Sequence, residues 1–160
     1  MKTAVVFYSN SENCSFVAGQ IGEITGADLI RLHLVNEEKH TSRRGKIFAA
    51  FAMLFFNKKP VLKPFDFDPS AYDLIVIGAP VWAGSPASPI RAFLSGCSIT
   101  GKKLAIFVCH AGGENGALAK FKTMLAGNSI IAEKDFAKAA ANGEKTKNMV
   151  ATWVQDFAKA

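Results

Sequence analysis

Three short apolar runs constrain this chain most: Ala4-Val5-Val6-Phe7-Tyr8, Leu74-Ile75-Val76-Ile77-Gly78 and Leu104-Ala105-Ile106-Phe107-Val108. They are continuous rather than alternating, which is the pattern of a strand buried on both faces. Each leads into a polar or Gly/Pro-rich turn, and apolar residues then recur at helical spacing. After the first run these are Val17, Ile21 and Ile24, after the second Ile90, Phe93 and Leu94, and after the third Leu118, Phe121 and Leu125. Strand–helix alternation of this kind needs crossover connections. Right-handed crossovers place helices on both faces of a parallel sheet. The expected class is therefore α/β, a doubly wound parallel sheet of about five strands.

The remaining elements fit that scheme. Cys14 to Thr25 reads as an amphipathic helix ended by Gly26. Leu29 to Val35 alternates, with Ile30, Leu32 and Leu34 against Arg31 and His33, as suits a strand nearer a sheet edge. A weaker apolar run lies near Ile130 and Ile131, and a closing helix carries Met149, Val150, Trp153, Val154 and Phe157 on one stripe. At 160 residues the chain suits a single domain, 1–160. Residues 36–69 depart from the pattern. They hold Arg43-Arg44-Gly45-Lys46, the uncharged run Ile47 to Phe56, and Asn57-Lys58-Lys59-Pro60. A connection of that length is expected to contain its own short apolar helix.

Composition narrows the function classes. No apolar run reaches the roughly 18 residues needed to cross a bilayer, and the N-terminal run is too short for a signal peptide, so the expected location is the cytoplasm. Cys14, Cys97 and Cys109 form no CxxC pair and no zinc spacing, so reduced thiols and no metal site are expected. The net charge is +6. The lysines are scattered without interleaved aromatics, which argues against nucleic acid as a partner.

In a doubly wound sheet ligands bind beyond the carboxyl ends of the strands, where the strand order reverses. The loops after the first, third and fourth strands therefore matter most. The first is Ser9-Asn10-Ser11-Glu12-Asn13-Cys14. Its hydroxyls, amides and backbone N–H groups at a helix N-terminus can surround a phosphate, and equally can serve as a plain N-cap. It is neither GxxxxGK[ST] nor GxGxxG, which disfavours triphosphate hydrolysis and dinucleotide binding. The second loop runs Gly78-Ala79-Pro80-Val81-Trp82-Ala83-Gly84-Ser85-Pro86 and projects Trp82 at the sheet edge, where an indole can stack on a planar ligand. The third runs Cys109-His110-Ala111-Gly112-Gly113-Glu114-Asn115-Gly116, and its glycines let the backbone approach a ligand closely.

Taken together, YSNSENC, YDLIVIGAPVWAGSPASPIRAFL and GKKLAIFVCHAGGENG resemble the flavodoxin family over nearly the whole chain outside the 36–69 insertion. The first loop departs from the family's hydroxyl-rich pattern: Ser9 and Ser11 match, Glu12 stands where the family has glycine, and Cys14 where it has a hydroxyl. The resemblance implies a strand order of 2-1-3-4-5 and non-covalent FMN. It puts the FMN phosphate among Ser9, Asn10, Ser11, Asn13 and Cys14. The isoalloxazine would lie between Ala79, Pro80, Val81, Trp82, Ala83 and Gly84 on one side and Cys109, His110, Ala111, Gly112, Gly113 and Gly116 on the other. The function it implies is electron transfer, with a redox partner protein or a small electron acceptor. An NAD(P)H:quinone oxidoreductase or related flavin-dependent oxidase of the same fold is the alternative, and a flavin-free binding or signalling domain comes third. A response regulator would need an acidic cluster where Ser9, Asn10 and Ser11 stand. The basic residues flanking Ile47 to Phe56 lead us to expect weak membrane contact or self-association through residues 43–59.

Overall fold

The computed structural model describes residues 1–36 and 59–158. Strand β1 (Thr3–Tyr8) is buried at every residue, as its unbroken apolar run requires. Ser11 then caps α1 (Glu12–Thr25), accepting from the Asn13 N–H, so the helix starts two residues before Cys14. Gly26 ends α1 in the left-handed conformation, with φ 68°, and returns its N–H to Gly22. The chain continues through β2 (Asp28–Leu32), β3 (Leu74–Trp82), the two-residue β4 (Ser85–Pro86), α2 (Ser88–Gly96), β5 (Lys103–His110), α3 (Ala117–Met124), β6 (Ser129–Ala137) and α4 (Gly143–Ala158).

The main sheet is parallel and ordered β2-β1-β3-β5-β6, and the short β4 pairs antiparallel with the end of β3. Apart from β4 this is the expected 2-1-3-4-5 arrangement. The two faces carry separate cores. Val5, Phe7, Val76, Phe107 and Phe136 pack against α1 and α4. Val6, Ile75, Ile77, Ile106 and Val108 pack against α2 and α3. Alternate residues of each central strand thus serve opposite cores, which is why those strands read as continuous apolar runs.

Both edges depart from the sequence expectation in detail. Regular β2 stops at Leu32, although Leu32 and Leu34 are buried as their alternation predicts. Beyond it, residues 33–35 pair loosely and antiparallel with residues 61–63, through Val35 N–H to the Val61 carbonyl and Lys63 N–H to the His33 carbonyl. The returning end of the insertion therefore lies along β2. The expected apolar helix at 47–56, with its flanking cations through Lys58, lies outside the described residues. At the other edge β6 is longer than its apolar pair suggests. A bulge there shifts the register between Ile130, opposite Leu104, and Ala132, opposite Ala105. Ile131 and Ala132 share one core while Ile130 faces the other, and charged residues follow at 133–135, so neither a long run nor a clean alternation is visible in the sequence. No helix among the described residues is long and apolar enough to cross a membrane.

One row across the sheet explains a glycine. Arg31, Phe7, Gly78 and Phe107 are register partners on successive strands β2, β1, β3 and β5. A Cβ on Gly78 would lie 2.0 Å from the Phe107 ring, which is fully buried and held edge-on by Phe136 and Trp153. That ring has no room to retreat. Gly78→Ala should therefore destabilise the fold by about 1–3 kcal/mol, the usual cost of overpacking a core. Urea denaturation would measure it, and Phe107→Leu in the same chain should recover part of the loss; an undiminished midpoint for Gly78→Ala would contradict the packing described.

Candidate functional site

The strand order reverses between β1 and β3, because the chain leaves β1 towards β2 on one side and later returns on the other. Helices on opposite faces diverge at such a point and leave a crevice at the carboxyl ends of the strands. All three loops singled out in the sequence lie at that edge.

In the first loop, Ser9 is buried and its hydroxyl is committed locally. It donates to the Ser11 carbonyl and accepts from the Ser15 N–H at 3.2 Å. Asn10 and Ser11 are exposed, and the Ser11 hydroxyl is the N-cap of α1. Asn13 is a tie: its Nδ2 donates to Ser11 Oγ at 3.2 Å, and its Oδ1 accepts from the Ala140 N–H at 3.0 Å. Cys14 faces inward. Burial, and then the Cys109 thiol beside it, push its thiol well above the ordinary 9.0, so it is a neutral core group. Cys14 can offer an anion only its backbone N–H, one of the first-turn donors that α-helix geometry leaves without an intrahelical partner. A cluster of these N–H groups with the hydroxyl and amide of Ser11 and Asn10 suits a small anion.

The second segment is a hairpin and not an open loop. Ala79 and Pro80 are buried strand residues of β3, and Val81 and Trp82 are half-buried at its end. Ala83 and Gly84, with φ 48° and 64°, form the two-residue connection to β4, and Val81 and Trp82 pair with Pro86 and Ser85. Positive φ at both central residues is the type I′ hairpin geometry. The strand reaches this far because Gly78 removes the clash with Phe107, and Pro80 lies past the last β1 pair, where its missing N–H is tolerated. Trp82 is braced by the Tyr8 ring, centroids 5.9 Å apart at 86°. That edge-to-face contact leaves the rest of the indole partly open.

The third loop follows β5. Cys109 is buried beneath it, His110 is nearly so, and Ala111 and Gly112 are exposed with open space where a Gly112 Cβ would stand. His110 organises the loop. Its Nδ1 accepts from the Gly113 N–H at 2.8 Å and its Nε2 lies 2.9 Å from Asp135 Oδ2. A backbone N–H can only donate, so the ring proton sits on Nε2 and is given to the Asp135 carboxylate. Gly113, Asn115 and Gly116 all take positive φ, at 132°, 47° and 82°. The second and third segments touch: a Cβ on Gly84 would lie 2.7 Å from the Asn115 carbonyl oxygen, so only glycine allows this approach. Glu114 accepts from the Leu118 N–H at 3.0 Å at the start of α3. That N–H, together with those of Gly116 and Ala117, holds its carboxyl below the ordinary 4.5.

Two contributors escaped the sequence reading. Tyr8 supports Trp82, and its place as the last residue of the first strand was the available signal. Arg31 donates from Nη2 to the Ser9 carbonyl at 3.1 Å, a contact across strands that single-sequence patterning does not reveal. Among the described residues no group of three or more His, Cys, Asp or Glu is placed to hold a metal ion. A groove of about 570 Å³ between β6 and α4 shares no residue with the three segments, so its size does not make it part of this crevice.

A helix N-terminus, an aromatic strand end and a glycine-rich loop meet at the switch point of a doubly wound α/β sheet. The family model described as flavodoxin matches residues 2–157, and the chain belongs to that family. A flavoprotein from Lactobacillus acidophilus, solved in complex with FMN, is 25% identical with a TM-score of 0.75, covering 95% of this chain and 97% of its own. A Bacteroides eggerthii protein is 18% identical with a TM-score of 0.76, covering 98% of each chain. The two-electron reduced flavodoxin of Megasphaera elsdenii is 13% identical with a TM-score of 0.61, covering 96% of this chain and 99% of its own. The last two likenesses concern the fold. No curated protein sequence matches this chain.

The Glu114 cap gives the third loop a pH dependence. A carboxyl held below its ordinary value stabilises the fold above that value, and the contribution is lost as pH falls through the folded one. Glu114→Gln should lower the urea midpoint at neutral pH, with the gap closing in acid, as pH falls below the ordinary carboxyl value of 4.5. A gap that stays constant across that range would show that the charge is not what caps α3.

Proposed function

We propose that this chain binds one FMN in the crevice and passes electrons through it to a redox partner protein or a small electron acceptor. The observation that carries the reading is the convergence at one switch point of the α1 N-terminal loop, the half-open Trp82 ring held by Tyr8, and the glycine wall organised by His110. Family membership and the FMN complex of the Lactobacillus acidophilus relative support it. The donors fit the group: backbone N–H groups and small polar side chains suit a phosphate ester, and a half-buried indole with a glycine-rich loop at the same sheet edge suits a flat ring. FMN, when bound, supplies reversible uptake of one or two electrons.

The chain's own residues position and shield. Ser11, Asn10 and the first-turn N–H groups of α1 receive the phosphate. Trp82 covers part of one ring face and, with Val81, keeps water from it. Ala111, Gly112 and the Gly113 region form the opposing wall. Electron transfer is favoured over substrate turnover by the state of the imidazole that ends β5. Both nitrogens of His110 are engaged, by Gly113 and by Asp135, so it offers a substrate no free acid or base.

Purified protein should carry a yellow FMN spectrum at one flavin per chain and oxidise NAD(P)H only when a separate reductase is added. Rapid steady-state NAD(P)H oxidation by the protein alone would favour the quinone-oxidoreductase alternative. Trp82→Ala should weaken FMN binding by about 1–3 kcal/mol, the value of one aromatic contact and its buried area. Flavin fluorescence titration measures this, and an unchanged dissociation constant would remove Trp82 from the site.

A further inference from the structure

Arg31 is an exposed cation beside the N-terminal end of α1. In β2, Ile30 and Leu32 face the core covered by α2 and α3. Leu29 and Arg31, which alternate with them, therefore face α1. Leu29 packs against α1 at Gly22, where a Cβ would lie 3.1 Å from Leu29 Cδ2. Arg31, two residues further along and in register with Phe7, faces the same side nearer the start of α1. Its guanidinium reaches the Ser9 carbonyl, at the entrance of the loop that caps α1. A cation is ordinarily disfavoured at a helix N-terminus, where the helix already carries partial positive charge. Among the described residues no carboxylate lies within ion-pair distance of Arg31; the ion pairs there join Lys2 with Asp28, His110 with Asp135, Lys122 with Glu133, and Lys147 with Glu144. Glu12, in the first turn of α1, does not pair with it either.

A cation with no ion-pair partner among the described residues, the first-turn N–H groups of Glu12 and Cys14, and the exposed Ser11 and Asn10 all border one loop. One Arg31 N–H is used on the Ser9 carbonyl, which orients the guanidinium and leaves its other donors available. We infer that Arg31 is the phosphate-selecting residue of the site: its guanidinium neutralises the 5′-phosphate of FMN and makes the protein prefer the phosphorylated flavin over riboflavin. This rests on the FMN reading above. It also accounts for Glu12 in place of glycine, since a second negative charge beside the dianion is tolerable once Arg31 offsets it.

The test compares FMN and riboflavin titrations of the full chain by flavin fluorescence, for the native protein and for Arg31→Met and Arg31→Lys. Methionine keeps much of the aliphatic stem, and thermal unfolding monitored by circular dichroism confirms that each variant is folded. Arg31→Met should raise the FMN dissociation constant about 10- to 100-fold, the scale of a charge-assisted contact. It should leave riboflavin binding within about twofold and flatten the salt dependence of FMN binding. Arg31→Lys should fall between native and Met. Equal weakening of both flavins would show that Arg31 only braces the loop, and unchanged FMN binding would show that it does not meet the phosphate; either overturns the inference while the FMN reading stands. A native protein that binds no FMN would overturn both.

Discussion

Everything at the carboxyl edge depends on β1 and β3 lying side by side, with the chain leaving β1 in one direction and β3 in the other. Their pairing, from Thr3 with Leu74 to Phe7 with Gly78, brings loops that are seventy residues apart in sequence to one crevice. It holds because the partners are apolar on both faces and because Gly78 yields its side-chain volume to Phe107. A larger residue there would disturb the strand whose continuation carries Trp82, so core packing and the position of the aromatic edge are one constraint.

Much of this was legible in the sequence. The continuous apolar runs identified the three central strands, and helical spacing identified the helices between them. Alternation at Ile30, Leu32 and Leu34 marked an edge strand with one buried face. What was not legible is instructive. Segment 78–86 reads as an open loop because it is rich in glycine and proline, yet β3 continues to Trp82. There local composition was overruled by pairing with β5 up to Cys109 and by the β4 hairpin. The β6 bulge hid its strand by placing Ile131 and Ala132 on the same core, and Glu133, Lys134 and Asp135 then break the apolar run. Within the site, residue type did not reveal commitment: Ser9, Asn13 and Cys14 all look like phosphate ligands, but their side chains hold the loop together or enter the core.

That division of labour gives the crevice its character. The exposed groups at this edge are mostly backbone N–H groups and small residues, with Trp82 half-buried among them, and other side chains brace them from behind. Tyr8 sets the indole, His110 with Asp135 sets the glycine wall, and Ser9 and Asn13 set the helix terminus. Backbone groups held in place in this way recognise shape and charge without offering a proton to a substrate.

The bond from the Ala140 N–H to Asn13 Oδ1 has a consequence for the order of events during synthesis. Loop one is encoded at the start of the chain, but the tie that steadies it arrives only with the turn after β6. A nascent chain that has exposed β1, α1, β2 and β3 possesses the N-terminal cradle and the indole, yet lacks both the glycine wall and this tie. A chain that ends after β3 therefore lacks two of the contacts that border this edge, the glycine-rich loop after β5 and the Ala140–Asn13 tie.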